Sequence, residues 1–118
     1  MSGTSLDGID LAFVNFTKQK RWSYKFLNTK TVEYPKKWVI KLKNLINEPF
    51  RNVEIEDDLY TLFLAKQINN FILDNNLKDV DAICSHGHTI FHEPKKGLTY
   101  QIGNKKTLAI KTGIKLIC

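Results

Sequence analysis

The fold is decided by the stretch Gly3-Thr4-Ser5-Leu6-Asp7-Gly8, which leads directly into the apolar run Ile9-Asp10-Leu11-Ala12-Phe13-Val14-Asn15-Phe16. In residues 9–16 apolar side chains fall on both alternating sets, a pattern typical of a β-strand that is buried on both faces. Residues 24–34 resume as a Thr-containing, half-exposed segment, which predicts a hairpin partner for that strand. We therefore expect a polar turn that leads into a central strand.

Phosphate is the ligand that suits this turn. Glycine lets backbone N–H groups turn toward an anion, Thr4 and Ser5 can donate to phosphate oxygens, and Asp7 can hold Mg²⁺ directly or through water. A Walker phosphate loop is excluded, because it needs a lysine and a following helix, whereas a strand follows here. An ordinary glycine-rich turn with Asx-type hydrogen bonds stays open as the alternative. The candidate phosphate-binding residues are Gly3, Thr4, Ser5, Leu6, Asp7, Gly8, Ile9 and Asp10, with Asp7 as the magnesium candidate.

Two prolines divide the middle of the chain into helices. Pro35 can open a helix at its first turn, and Pro49 ends that helix. A second helix follows, in which Asp57 and Asp58 stand early, near the positive end of the helix dipole. Its apolar residues cover a broad arc, so we expect a well-buried helix that runs to about residue 75. The remaining predicted elements are a strand at 80–84, a turn at 94–97, a strand at 99–102, a helical turn at 108–111 closed by Gly113, and a strand at 114–118.

A second polar cluster follows the predicted strand at 80–84, where sites commonly form. It consists of Ser85, His86, Gly87, His88 and Thr89. On a strand His86 and His88 project to the same face, and such a pair can supply two zinc ligands, although no third ligand is fixed by spacing. Polar contacts to a substrate and simple hydrogen bonding at a strand end are the alternatives. A Ser85–His86 hydrolase pair lacks an acidic residue to orient the histidine.

Composition limits the class of protein. The 118 residues suit one domain, and 42% apolar with 25% charged residues is the balance of a folded protein. The net charge of +6 comes from scattered lysines rather than from a basic arm, so we expect solvated faces and no nucleic-acid partner. Cys84 and Cys118 form no disulfide or zinc spacing, which indicates reduced thiols in the cytosol. No secretory signal and no run of about 20 apolar residues is present, so no membrane partner is expected.

The opening residues resemble the signature of anhydro-N-acetylmuramic acid kinases, cytoplasmic bacterial enzymes of cell-wall sugar recycling. The matching stretch is residues 1–10, Met-Ser-Gly-Thr-Ser-Leu-Asp-Gly-Ile-Asp. Residues 85–92 with Pro94 resemble the family's second block, and residues 99–103 and 108–113 match further blocks in order. The combination is specific, whereas any one block is far less so.

The resemblance implies an α/β fold of the actin, hexokinase and heat-shock-70 type. Its ribonuclease-H-like domain, a mixed sheet with flanking helices, begins with a hairpin whose first turn holds the phosphates of ATP. It also implies ATP and Mg²⁺ as cofactors and an anhydro amino sugar as substrate. The family's reaction couples hydrolytic opening of the 1,6-anhydro bond to phosphorylation of O6, giving N-acetylmuramic acid 6-phosphate. A homodimer of the complete enzyme stays open.

Two departures limit what the resemblance carries over. The family normally has Gln where this chain has His88, which puts an amide hydrogen bond there in doubt. The family's catalytic Asp is expected beyond Cys118, so no catalytic residue is assigned, and Ser85 to Thr89 are the candidate substrate-side residues. We expect residues 1–118 to be a partial N-terminal domain, truncated at both ends, that shows weak Mg-ATP binding and no turnover on its own.

A small basic binding module for nucleic acid or an acidic partner is the non-enzymatic alternative, and its binding would weaken steeply with salt.

Overall fold

A computed structural model describes residues 6–93, 95 and 97–118. These residues form a mixed α/β structure, which confirms the predicted class. The strands are β1 (Gly8–Lys18), β2 (Trp22–Glu33), β3 (Ile83–Cys84), β4 (His88–Glu93), β5 (Leu98–Ile102) and β6 (Leu116–Ile117). The helices are α1 (Lys36–Asn44), a 3-10 turn (Leu45–Asn47), α2 (Phe50–Asp74) and α3 (Thr107–Thr112).

The predicted hairpin is present: β1 pairs antiparallel with β2, from Gly8 opposite Glu33 to Lys18 opposite Trp22. A bulge interrupts the register between Phe13 and Val14. The expectation that the first strand is buried on both faces is wrong, because Ile9 is buried but Ala12 and Phe16 are exposed. Only the base of the hairpin reaches the core. Beyond the bulge its large side chains, Phe16, Trp22, Tyr24 and Phe26, are 58–68% exposed.

The helices supply the core. Pro35 precedes α1, as the sequence predicted, and α1 ends at Asn44, ahead of Pro49, which precedes α2. Helix α2 ends at Asp74, close to the expected residue 75. The expectation that Asp57 and Asp58 lie near the start of α2 is wrong, because the helix already begins at Phe50. The helix is also amphipathic rather than buried all round. Its buried residues are Val53, Asp57, Tyr60, Thr61, Leu64, Ala65, Ile68 and Phe71.

The last part of the chain forms short paired strands. In the described residues β4 pairs antiparallel with β5, and β3 pairs parallel with β6 over only two residues each, so the strands form three separate pairs rather than one mixed sheet. The predicted strand at 80–84 is shortened to β3 because residues 80–82 take no part in this pairing. The helical turn closed by Gly113 is confirmed by its left-handed conformation after α3. Pro94 and Lys96 of the predicted 94–97 turn lie outside the described residues.

Candidate functional site

The predicted phosphate-binding turn is described from Leu6 onward, and Gly3, Thr4 and Ser5 lie outside the described residues. Leu6 packs against the core and Ile9 is buried, so apolar side chains fix the start of β1. Gly8 is needed there because β2 approaches closely. A Cβ on Gly8 would lie 2.6 Å from the carbonyl oxygen of Val32, closer than any side chain tolerates.

Two carboxylates of this turn reach solvent. The Asp7 side chain is exposed, and its Oδ1 accepts a hydrogen bond from the Gly8 N–H at 3.1 Å. Asp10 is exposed on β1 and accepts the Thr31 hydroxyl at 2.6 Å. Carboxylate oxygens are the protein ligands that Mg²⁺ prefers. The carboxylate oxygens of Asp7 and Asp10 are therefore the groups of residues 6–10 that could bind magnesium.

The second polar segment, residues 85–89, is held against β5. The Ser85 hydroxyl accepts the Gly87 N–H at 3.2 Å, and His88 is opposite Ile102 in the β4–β5 register. Gly87 has a φ of +67°, and a Cβ there would lie 2.1 Å from the Ile102 carbonyl oxygen. Glycine is required at this position both for its backbone conformation and for its close approach to β5.

The two histidines of this segment do not share a face. His86 is exposed, whereas His88 is only 3% exposed, so the expectation of a same-face pair is wrong. The reason is local: Gly87 turns the chain through a positive φ, and β4 begins only at His88. In the described part of the chain no three His, Cys, Asp or Glu side chains come together as a metal site, so nothing there supports the zinc alternative.

His88 lies among aromatic rings. Its ring centroid is 6.3 Å from that of Tyr34 and 6.2 Å from that of Tyr60. Burial, and secondarily the neighbouring His86, lower the pKa of His88, which favours the neutral form of the ring. Its Nδ1 has no hydrogen-bond partner among residues 6–93, 95 and 97–118. As a substrate-side candidate His88 therefore differs from Ser85 and Thr89, which are half-buried.

The sequence pattern did not predict a buried polar group on α2. Asp57 is 4% exposed, and its Oδ1 accepts the Gly103 N–H at 2.7 Å. Nearby, the hydroxyls of Tyr34 and Tyr60 are hydrogen-bonded at 2.6 Å. A signal for Asp57 exists in the sequence, because it falls at helical spacing between Val53 and Tyr60 on the apolar face.

The known proteins to which this chain is similar are kinases. The model of the family described as Anhydro-N-acetylmuramic acid kinase matches residues 1–118. The chain belongs to the anhydro-N-acetylmuramic acid kinase family, and the resemblance of its opening signature is confirmed.

Curated relatives carry the same family name. The anhydro-N-acetylmuramic acid kinase of Mannheimia succiniciproducens is 37% identical over 124 residues, covering 99% of this chain and 32% of that protein. Those of Shewanella amazonensis and Pseudomonas syringae pv. tomato are 36% and 32% identical, again over 99% of this chain. The chain thus spans about a third of the length of these relatives. No helix in the described residues is long and apolar enough to cross a membrane.

Proposed function

We propose that this chain supplies the ATP-phosphate region and part of the sugar side of an anhydro-N-acetylmuramic acid kinase. Such a kinase opens 1,6-anhydro-N-acetylmuramic acid and phosphorylates it with ATP to N-acetylmuramic acid 6-phosphate, a cytoplasmic step of cell-wall recycling. The match of the family's model to residues 1–118 is the observation that carries the proposal. The names of the relatives support the same activity.

The nucleotide half of the proposal rests on residues 6–10. Leu6 and Ile9 anchor this segment in the core, which leaves Asp7 and Asp10 in solvent at the start of β1. Asp7 and Asp10 are the residues that would hold magnesium, directly or through water, and Gly3, Thr4 and Ser5 would add hydrogen-bond donors to phosphate. Bound Mg²⁺ neutralises charge on the phosphoryl group during its transfer.

We further propose that the hairpin belongs to a ribonuclease-H-like domain. An antiparallel hairpin entered from a glycine-rich turn and the parallel pairing of β3 with β6 support this proposal. In the actin and hexokinase type of fold the phosphate turn stands at the corresponding hairpin. Under this proposal, residues 6–10 and 85–89 serve different ligands, nucleotide and sugar respectively.

Titration calorimetry with Mg-ATP tests the nucleotide half. We expect weak binding by the 118-residue chain, reduced about tenfold or more by Asp7→Asn, because an amide binds magnesium and its water shell less well than a carboxylate. Asp81→Asn is the matched control, since Asp81 is also exposed but lies far along the chain, before β3. Equal binding by both variants would remove Asp7 from the site. Turnover of the anhydro sugar by this chain alone would place a catalytic group within it.

A further inference from the structure

A buried carboxylate joins α2 to the turn that follows β5. Asp57 lies on the inward face of α2 and is 4% exposed. Its Oδ1 accepts hydrogen bonds from the Gly103 N–H at 2.7 Å and from the Thr61 hydroxyl at 3.3 Å. Its Oδ2 is 3.9 Å from the Lys105 ammonium. Every named partner except Thr61 therefore lies in the turn between β5 and α3.

Keeping this carboxylate buried is costly. Burial raises the pKa of Asp57, and the Gly103 hydrogen bond, Lys105 and Thr61 oppose that rise only in part. Lys105 also donates to Asp58 at 2.7 Å and to the backbone carbonyl of Glu54 at 3.1 Å, so it lies along one exposed edge of α2. An apolar residue could fill the same space without this cost. We therefore ascribe the presence of a buried carboxylate to the group that it binds.

The group that the Asp57 carboxylate binds is the backbone N–H of Gly103. Gly103 has a φ of +91°, and a Cβ there would lie 2.8 Å from the Tyr60 ring, so the backbone passes directly over α2. Ile102, immediately before it, is opposite His88 in the β4–β5 register. The Ile102 carbonyl in turn lies against Gly87, where a Cβ would be 2.1 Å from its oxygen. The position of the 85–89 segment therefore depends, through β5, on the anchoring of Gly103 to α2.

We propose that Asp57 is a positioning residue: by fixing the Gly103 turn it aligns residues 85–89 for the sugar side of the reaction. The inference rests on the proposed function for the sugar role. The anchoring itself does not depend on that function. Among the described residues, the hydrogen bonds and the ion pair of Asp57 go to Gly103, Thr61 and Lys105 rather than to residues 6–10 or 85–89. Its effect on the sugar should therefore be separable from any effect on nucleotide.

Amide exchange and chemical shifts measured by NMR test the anchoring. In Asp57→Ala we expect the Gly103 amide to exchange on the order of tenfold to a hundredfold faster, because its acceptor is lost. We also expect the shifts of residues 85–89 to move. Asp57→Asn retains an acceptor oxygen and should restore both observations toward wild type. Asp58→Ala is the matched control, since it removes an exposed neighbour that also binds Lys105 but leaves Gly103 bound.

Unchanged shifts at 85–89 in Asp57→Ala, or equal shifts in Asp58→Ala, would overturn the anchoring. If Asp57→Ala does not fold, Thr61→Val carries the same measurement, because it removes a second hydrogen bond to the oxygen that holds Gly103. We then expect faster exchange of the Gly103 amide in Thr61→Val than in wild type, and unchanged exchange would overturn the anchoring. The anchoring would equally be contradicted if the Gly103 amide exchanged as fast in Asp57→Asn as in Asp57→Ala.

Titration with 1,6-anhydro-N-acetylmuramic acid and, separately, with Mg-ATP tests the sugar role. We expect Asp57→Ala to weaken sugar binding about tenfold or more and Asp57→Asn to recover most of it, while Mg-ATP affinity stays unchanged. Equal loss for both ligands would indicate general destabilisation and overturn the positioning role. If the wild-type chain binds no sugar, the proposed function loses its sugar half and the sugar role falls with it. The exchange measurement still decides the anchoring.

Discussion

The two motif-bearing segments of this chain, residues 6–10 and 85–89, are built in opposite ways. In the first, Leu6 and Ile9 enter the core and the carboxylates of Asp7 and Asp10 face solvent. In the second, the exposed member is His86, whereas His88 is buried among tyrosines. Both segments contain a glycine that another strand approaches closely, Gly8 against β2 and Gly87 against β5.

The difference indicates how each segment tolerates change. The carboxylates of the first segment are exposed, so their substitution should affect ligands more than folding. The second segment places a glycine and an ionisable ring inside the packing itself. Its substitution should therefore affect folding first, and ligand binding through folding.

The largest expected effect is that of Gly87→Ala in the second segment. The new Cβ would lie 2.1 Å from the Ile102 carbonyl oxygen, and the residue would also keep a φ of +67°. We expect a loss of about 3 kcal/mol or more in the free energy of unfolding, measured by urea denaturation. Gly113→Ala is the matched control, because Gly113 has a similar φ of +70° but nothing within 4 Å of its Cβ position. Its loss should be about 1 kcal/mol. Equal losses would mean that backbone conformation alone matters at Gly87.

The next effect is a pH dependence caused by His88. The pKa of the buried ring is lowered by burial, so the folded state takes up its proton only below the ordinary value of about 6.5. The unfolded chain takes up that proton near 6.5. Unfolding therefore binds protons below that pH, and the free energy of unfolding should fall as the pH falls below about 6.5.

Urea denaturation between pH 5 and 8 measures this slope, and His88→Gln should reduce it. Asp57 does not confound the comparison, because its raised pKa acts with the opposite sign and is present in both proteins. His86, the second cause of the lowered pKa of His88, is also common to both. An unchanged slope in His88→Gln would show that the ring is protonated freely in the folded state.

Local patterns in the sequence gave the framework of this fold. Alternation from Ile9 onward predicted the β1–β2 hairpin, Pro35 marked where α1 begins, and Gly113 marked the end of α3. These features are set by neighbours in the chain, and their periodicity or backbone chemistry is visible in the sequence.

The candidate site was less predictable because its decisive contacts are distant in sequence. Asp57 binds Gly103 across 46 positions, and no local pattern specifies that pairing. His86 and His88 have the spacing of a strand, but the positive φ of Gly87 changes the direction of the chain between them. Burial of the hairpin was overestimated for a related reason: apolar alternation shows which residues could be buried, and the packing partner decides which are.

A moderate effect is expected from the tyrosine pair behind the second segment. The Tyr34 and Tyr60 hydroxyls are hydrogen-bonded at 2.6 Å in the core, next to His88. Tyr34→Phe should lower the free energy of unfolding by about 1 kcal/mol, because it removes one buried hydrogen bond. Tyr24→Phe, which removes an exposed hydroxyl on the hairpin, should cost almost nothing. Thermal denaturation of the two variants measures the difference, and similar midpoints would show that the buried bond contributes little.

The smallest effect on folding is expected in the first segment, from Asp10→Asn. Asp10 is exposed, and an asparagine oxygen can still accept the Thr31 hydroxyl that Asp10 accepts at 2.6 Å. The free energy of unfolding should therefore change by no more than about 0.5 kcal/mol. Mg-ATP affinity, measured by calorimetry on the same variant, should nevertheless fall, because a carboxylate near the proposed phosphate group is lost. A loss of stability above about 1 kcal/mol would mean that Asp10 supports the hairpin as the second segment supports β5. In that case both segments would contribute to folding, and the contrast between them would be lost.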